Sequence, residues 1–208
     1  MKIGIIGSGM IGGTLARKFA ALGHEVTLSN SRGPQTLTEL AGEIGATAGT
    51  VEEAIGEADV VVLAVPVKVV PSLPLGKLQG VVLVDANNYY PARDGVIDDI
   101  VRKHETSARL TADHAPGAHV VKAFNNIFWR HILENGKPAG TAGRIALPVA
   151  ADDASAKQTV SALVEAIGFD AVDGGTLDES WRQEPDTPVY GTDLDRAGVE
   201  SALASATR

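Results

Sequence analysis

The sequence predicts an α/β fold, a doubly wound and mostly parallel sheet with a small C-terminal extension. Short β-branched runs alternate with amphipathic segments along most of the 208 residues, which is typical of this class. Several runs are continuously apolar, as expected for strands that helices cover on both faces. A glycine-rich turn connects the first run to the first amphipathic segment. These three observations favour one main sheet with its ligand sites at the strand ends.

The predicted strands are short apolar runs rich in Val and Ile. They lie at residues 3–6, 26–28, 60–65, 81–84, 119–124, 145–149 and 169–172. The periodic signal fades after about Gly174. We therefore expect a nucleotide-binding domain in residues 1–175 and a C-terminal extension, packed on that domain, in residues 176–208.

Amphipathic segments between these runs predict helices. The first segment carries one apolar stripe, formed by Ile11, Leu15, Phe19 and Leu22. Pro34 marks the first turn of a second helix. Thr50 and Glu53 form a capping-box pattern that opens a third helix, and an aspartate at 152–153 caps a fourth. A further helix is expected around residues 96–104, within the least regular stretch of the chain.

Composition excludes several classes of function. The chain has no cysteine, so disulfides, thiolate metal sites and cysteine nucleophiles are absent. The five histidines share no metal-like spacing, and no metal site is expected. A formal net charge of -8 repels phosphate backbones, so nucleic acid is not an expected partner.

No membrane association is expected either. The longest apolar stretch, residues 60–67, contains Pro66 and is too short to cross a bilayer. The N-terminal apolar run is interrupted by Gly7 and Gly9 and does not look like a signal peptide. The expected location is the cytoplasm.

The glycine-rich turn fits the pattern G-x-G-x-x-G and stands between a predicted strand and an amphipathic helix. The first glycine makes the tight turn, the second lets a pyrophosphate approach bare backbone, and the third lets the helix pack close to the strand. The alternative is a purely structural turn. We predict a Rossmann dinucleotide site that uses Gly7, Ser8, Gly9, Met10, Ile11 and Gly12.

The turn after the second strand favours NADP over NAD. No acid occurs between Thr27 and Thr38, although an NAD site usually has one there to bind the ribose 2′-hydroxyl. The residues in its place are Asn30, Ser31 and Arg32, and an arginine fork with a neighbouring hydroxyl suits a 2′-phosphate. The alternative is an exposed turn arginine with no ligand.

Four segments, at residues 7–12, 31–32, 64–66 and 121–125, resemble the NADPH-dependent coenzyme F420 reductase family. The related oxidoreductase domain of the STEAP metalloreductases has a similar Lys-Ala-Phe-Asn segment. The resemblance covers nearly the whole chain and implies hydride transfer between NADPH and a stacked deazaflavin or flavin. It implies that residues 8–11 hold the pyrophosphate and residues 31–32 the 2′-phosphate. The cleft wall and the nicotinamide contacts would then come from Ala64, Val65, Pro66, Ala123, Phe124 and Asn125.

Polar residues at two strand ends are further candidates, because open α/β sheets bind ligands there. They are Asp85, Asn87, Asn88, Asn125 and Asn126. Of these, we place Asn87 and Asn125 among the cofactor-binding residues, since an amide can bond a carboxamide or a ring edge. The alternative is ordinary turn chemistry, which also favours Asn and Asp.

Aromatic residues flank both strand ends, and a flat ligand could stack on them; they are Tyr89, Tyr90, Phe128 and Trp129. Packing in the core is the alternative, most of all for Phe128. Lys122, inside an apolar strand, either reaches a phosphate or an acidic acceptor, or is a lysine that extends along the surface to water.

Hydride transfer between two rings requires that the rings be held face to face and that water be excluded, and it requires little chemistry from side chains. We therefore predict no catalytic side chain and an NADP(H)-dependent oxidoreductase whose partner is F420, a flavin or a similar small-molecule acceptor. One alternative is a non-catalytic NADP(H) sensor. Another is a reductase of a small imine or carbonyl, which would need a proton donor such as Tyr89, Tyr90 or His114. The oligomeric state stays open, with a homodimer as one option.

Overall fold

A computed structural model describes residues 1–102 and 104–208 and has an eight-stranded sheet at its centre. The strands are β1 (Lys2–Ile6), β2 (Glu25–Ser29), β3 (Thr47–Ala48), β4 (Val60–Leu63), β5 (Val82–Asp85), β6 (His119–Lys122), β7 (Ala146–Ala151) and β8 (Asp170–Asp173). Their order is β3-β2-β1-β4-β5-β6-β7-β8. All neighbours are parallel except β6 and β7. The predicted α/β fold is confirmed.

Helices cover both faces of this sheet. They are α1 (Met10–Ala21), α2 (Thr38–Ile44), α3 (Val51–Gly56), α4 (Pro91–Asp94), α5 (Asp98–Val101), α6 (Ser107–His114), α7 (Trp129–Glu134), α8 (Ala154–Ala166) and α9 (Arg196–Ser205). The capping box at Thr50 and Glu53 is present, and Asp153 caps α8 by accepting from the Ala156 N–H. Within the described residues, no helix has the length and hydropathy that crossing a bilayer requires.

Three local predictions differ from the structure. Pro34 begins a 3₁₀ turn over Pro34–Thr36, and α2 starts only at Thr38. The helix expected around residues 96–104 is shortened to α5, and residue 103 lies outside the described residues. Strand β3 was not predicted, because two residues paired along β2 leave no readable alternation.

The continuous apolar run of β4 is explained by the two faces of the sheet. Val60 and Val62 point into the core beneath α1 and α8, whereas Val61 and Leu63 point into the core beneath α3 and α6. All four side chains are buried. Because alternate residues of a strand face opposite sides, a strand covered on both sides must be apolar throughout.

The C-terminal residues pack on β7 and β8. A 3₁₀ helix at Leu177–Gln183 is followed by α9, whose Val199 and Leu203 are buried with Val172 of β8. The 3₁₀ helix reaches across the sheet, because Gln183 donates to the Lys122 carbonyl at 3.4 Å. This segment therefore lies beside the carboxyl end of β6, where it completes the site described next.

Candidate functional site

The strand order reverses at β1, which lies between β2 and β4. The Gly7 N–H donates to the Ser29 carbonyl at 2.9 Å, and the Ala64 N–H donates to the Ile6 carbonyl at 2.9 Å. The glycine turn is thereby held between the carboxyl ends of β2 and β4. Crevices at such a reversal are where open α/β sheets bind their ligands.

The three glycines of the turn have different surroundings. Gly7 has φ of 108°, and a Cβ there would lie 2.2 Å from the Ala64 carbonyl oxygen. A Cβ on Gly12 would lie 1.8 Å from the Gly7 carbonyl oxygen. Gly9 instead faces open space, since a Cβ added there would meet no atom within 4 Å. Two glycines therefore permit close packing, and the third leaves room for a ligand.

The N-terminus of α1 opens onto this space. Gly9 is its N-cap and supplies no side-chain bond, and the first turn carries no acidic residue. The unpaired N–H groups and the positive end of the helix dipole are thus available to an anion. Ser8 is oriented beside them by the Asn30 amide, which donates to its hydroxyl at 3.2 Å.

The turn after β2 is organised by Asn30. Its side-chain Nδ2 also donates to the Thr36 hydroxyl at 3.0 Å, and its side-chain Oδ1 accepts from the Arg32 N–H at 2.9 Å. Ser31 and Arg32 are exposed. Among the described residues, no carboxylate pairs with Arg32. The guanidinium is therefore presented to solvent without a competing anion.

The cleft beside the glycine turn, of about 250 Å³, is lined by Ala64, Val65 and Pro66 on one side and by Asn87 at the end of β5. The Asn87 side chain is 3% exposed, and its oxygen accepts from the Val65 N–H at 2.8 Å. Its Nδ2 has no partner among the described residues. A buried amide nitrogen without a partner is costly, so this donor suits a ligand in the cleft.

A buried ion pair lies behind Asn87. Lys122 and Asp85 are both fully buried, with Lys122 Nζ 3.3 Å from Asp85 Oδ1. Nζ also donates to the Asn87 carbonyl at 2.5 Å and to the Ser107 hydroxyl at 3.0 Å. The two interpretations of Lys122, as a phosphate ligand or a surface lysine, are both wrong. Asp85 and the two further acceptors give the buried Lys122 Nζ the partners that a buried polar group requires.

The segment after β6 turns sharply into the core. Phe124 has φ of 63°, which is uncommon for an aromatic residue, and it packs edge-on against Phe19 at 6.3 Å between ring centroids. Ala123 and Phe124 are fully buried and line neither cavity. The Asn125 amide is used within the protein, because its nitrogen donates to Asn88 Oδ1 at 3.0 Å and to the Gln183 carbonyl at 2.7 Å.

A second cavity, of about 500 Å³, adjoins the first and shares with it Ile11, Ala86, Asn88 and Tyr90. Asn126 lines it, is 1% exposed, and has no partner for either amide atom among the described residues. The rest of the wall includes Phe128, Trp129, His131, Tyr190 and Gly191. The expectation that Phe128 packs in the core is wrong, because its side chain is 50% exposed at this wall.

Two tyrosines meet at this wall. The Tyr90 and Tyr190 hydroxyls are hydrogen-bonded to each other. Burial, together with the Tyr90 hydroxyl, raises the pKa of Tyr190. The Arg93 guanidinium lies over the Tyr90 ring, 4.9 Å from its centroid. Burial would raise the pKa of Asp94, but hydrogen bonds from Arg93 and the Tyr90 N–H outweigh it and lower that pKa.

The other suggested proton donors lie elsewhere. The Tyr89 hydroxyl donates to the Gly95 carbonyl at 2.7 Å and accepts from the Ile97 N–H, so it fixes the loop after β5. His114 is exposed on α6, with Nδ1 2.9 Å from the Leu110 carbonyl oxygen, and lines neither cavity. Of the three candidates, only Tyr90 lies at the cavities.

Sequence reasoning missed His131 and Tyr190. Tyr190 is 100 residues from its partner Tyr90, and no local pattern links the two. A signal existed only for His131, which follows the aromatic pair by two residues. Within the described residues, no group of three acidic or histidine side chains could hold a metal ion.

Comparison with known proteins places the chain in a family. Residues 2–89 match the model of the family described as NADP oxidoreductase, coenzyme F420-dependent. A solved structure from Arthrobacter sp. FB24, named as an F420-dependent NADP reductase, is 26% identical with a TM-score of 0.73; the match covers 88% of this chain and 87% of that one. The chain belongs to this family of NADP-dependent oxidoreductases. The resemblance seen in the sequence is thereby confirmed.

Two further relatives are similar to most of this chain. Hypothetical protein SMa0349 from Sinorhizobium meliloti is 30% identical, with a TM-score of 0.79 and coverage of 93% of this chain and 94% of that one. Metalloreductase STEAP3 from Rattus norvegicus is 31% identical over 179 residues, or 85% of this chain. The chain covers 34% of STEAP3 and 54% of another curated relative, so it spans at most about half of either.

Proposed function

We propose that this chain is an NADPH-dependent reductase that passes hydride to a flat ring acceptor, a deazaflavin or a flavin. The observation that carries the proposal is the second cavity, which adjoins the dinucleotide cleft and is walled by aromatic side chains. Its volume of about 500 Å³ lies in the range of ligand pockets. A protein that only senses NADPH has no need of such a space, which disfavours the sensor alternative.

The residues of the cleft fit the dinucleotide. The N-terminus of α1 and the open face of Gly9 suit the pyrophosphate, and Ser31 with Arg32 suits the 2′-phosphate. Asn87 Nδ2 is left to donate to the ribose or nicotinamide part. When bound, NADPH supplies the hydride. The chain's own part is to bind, orient and shield the two rings.

Asn126, in place of Asn125, is our choice for recognising a ring edge. An amide offers one donor and one acceptor side by side, and those of Asn126 are both without partners among the described residues at the cavity wall. The pyrimidinedione edge of a flavin or deazaflavin offers the complementary N–H and C=O. Asn125 lacks this freedom because Asn88 and Gln183 occupy its amide.

A second candidate function is reduction of a small imine or carbonyl. The Tyr90 and Tyr190 hydroxyls at the cavity favour it, because such a substrate needs a proton donor near the hydride. One experiment distinguishes the two candidate functions by the acceptor that the protein reduces. Purified protein with NADPH is followed at 340 nm with F420, FMN, FAD, quinones, and a set of cyclic imines and ketones. Absence of turnover with every acceptor would remove the enzyme proposal.

We expect Arg32→Ala to raise the Kd for NADPH about tenfold or more and to leave the Kd for NADH unchanged. A hydrogen bond to a charged group contributes about 1.5–3 kcal/mol, and only NADPH has the phosphate that receives it. Fluorescence titration of both coenzymes measures the effect. Arg17→Ala is the matched control, since this arginine on α1 pairs with Glu43 at 3.7 Å. An equal loss for both coenzymes would contradict the assignment.

We expect Asn126→Leu to stabilise the ligand-free protein by about 1 kcal/mol, because an apolar side chain of similar size replaces two unsatisfied polar atoms. The same change should slow ring reduction at least tenfold. Thermal unfolding and the 340 nm assay measure the two effects. Asn125→Leu is the control, and it should destabilise because it breaks the bonds to Asn88 and Gln183. Equal destabilisation by both changes would disprove a ligand role for Asn126.

A further inference from the structure

A histidine–aspartate pair stands at the wall of the second cavity. His131, on α7, lines the cavity, and its Nδ1 is 2.8 Å from Asp193 Oδ1. Asp193 lies in the C-terminal segment, three residues after Tyr190. The Phe128 ring packs edge-on against the imidazole, 5.5 Å between centroids. The ring is therefore held from two sides, and Nε2 makes no hydrogen bond within the described chain.

The cationic side chains nearest to His131 are directed away from this pair. Arg130 on the same helix turns its guanidinium over Trp129, 5.2 Å from the ring centroid. Helix α1 packs against α7, but its Arg17 is directed to Glu43, and its Lys18 borders the groove at residues 136–139. Among the described residues, the other titratable groups that line the cavity are the hydroxyls of Tyr90 and Tyr190. Asp193 is thus the charged group in contact with the imidazole among the described residues.

An aspartate on Nδ1 fixes the tautomer and the orientation of the imidazole. When the imidazole is protonated, Nε2 carries a proton that it can give to a ligand in the cavity. After the transfer, the neutral ring keeps its Nδ1–H on Asp193. The His131 side chain is 38% exposed, so water can return the proton to Nε2.

We propose that His131 donates a proton to the acceptor ring and that Asp193 is its positioning residue. This inference rests on the proposed function. Hydride addition to a neutral flavin or deazaflavin forms one C–H or N–H bond and leaves a negative charge on the ring. The Nε2–H bond breaks, a ring N–H bond forms, and the products are NADP⁺, the reduced neutral ring and neutral His131. In the reverse direction Nε2 accepts the same proton.

The test compares acceptors that need a proton with one that does not. Lumiflavin and 8-hydroxy-5-deazaflavin each take a hydride and a proton, whereas N-methylacridinium is a flat cation that becomes neutral on hydride addition alone. The variants are His131→Gln and Asp193→Asn. Glu134→Gln, an exposed carboxylate on the same helix, is the matched control. Initial rates are measured from pH 5 to pH 9 (a range chosen to bracket the usual imidazole pKa of about 6.5).

We expect His131→Gln to slow the proton-requiring acceptors about 10²-fold or more, the usual contribution of a general acid. Its rate with N-methylacridinium should change by no more than about threefold, because that reaction uses no proton. With the proton-requiring acceptors, Asp193→Asn should give rates between those of the unaltered protein and those of His131→Gln, and it should shift the pH profile of the rate. Equal slowing of all acceptors would make His131 a packing residue and overturn the proposal, as would no slowing at all. Turnover of no acceptor by the unaltered protein would instead refute the proposed function.

A second readout does not depend on activity. Long-range ¹H–¹⁵N spectra of the coenzyme-free protein report the tautomer and ligand contacts of His131. We expect the Nδ1-protonated tautomer in the neutral ring, its loss in Asp193→Asn, and a shift of the Nε2 signal when lumiflavin is added. An Nε2 signal that does not respond to lumiflavin, at concentrations where the flavin fluorescence shows binding, would overturn the contact that the proposal requires.

Discussion

Gly12→Ala should abolish measurable NADPH binding and lower the free energy of unfolding by about 1–3 kcal/mol or more, as overpacking of a tight site does. The added Cβ would lie 1.8 Å from the Gly7 carbonyl oxygen and 3.3 Å from the Ala64 Cβ. The first contact is with backbone, so no flexible side chain can move away. Helix α1 would have to shift from the glycine turn, which would misplace its N-terminus. Urea unfolding and NADPH titration measure the two losses.

Gly9→Ala is the matched control for this prediction. A Cβ there meets no atom within 4 Å, and the φ of Gly9 is -71°, which any residue can adopt. We expect its free energy of unfolding to stay within about 0.5 kcal/mol of the unaltered protein. Its NADPH affinity should still fall, because the methyl group occupies the space proposed for the pyrophosphate. If Gly12→Ala were as stable as Gly9→Ala, the close approach of helix and strand would be refuted.

Lys122→Met should destabilise the protein by about 3–5 kcal/mol, the usual cost of leaving a buried charge without its partner. Asp85 would keep its bonds to the Thr111 hydroxyl at 2.6 Å and to the Asn87 N–H at 2.8 Å but lose its cation. The Asn87 carbonyl and the Ser107 hydroxyl would lose their shared donor as well. Chemical denaturation at neutral pH measures the change.

The double variant Lys122→Met with Asp85→Asn tests the cause. An asparagine at this position can still accept from the Asn87 N–H and can donate to Thr111, so no charge remains buried. We expect the double variant to be more stable than Lys122→Met alone, with a coupling energy above about 1 kcal/mol. Strictly additive losses would show that the lysine contributes through packing of its chain and not through its charge.

Both predictions depend on features that sequence reasoning reached to different degrees. The pattern of the glycine turn is readable in the sequence, because a positive φ at Gly7 and a close approach at Gly12 leave glycine as the fitting residue at those two positions. Lys122 was misinterpreted, because a lysine within an apolar strand has the same sequence pattern whether it is buried or exposed. Its partner Asp85 is 37 residues away, and only the pairing of β5 with β6 brings the two together.

The strand end after β6 gives a second example. Local sequence offers Asn125 and Asn126 as equivalent turn residues. After the left-handed backbone of Phe124, both residues line the second cavity, but the Asn125 amide bonds Gln183 and the Asn126 amide has no partner among the described residues. The sequence therefore offered both residues of this segment as candidates and gave no means of distinguishing them. Direction at a strand end depends on one dihedral angle, which sequence patterns do not report.

By itself, the sequence determined the fold class, the family, the glycine-rich turn and the missing acid at the second strand, since each is a local pattern with a local physical cause. Only the tertiary structure decided which polar groups are hydrogen-bonded within the protein and which have no partner among the described residues. It also brought Tyr190 into contact with Tyr90 and Asp193 into contact with His131. Such contacts join residues 62 to 100 positions apart, and packing of the whole chain, not local preference, selects them.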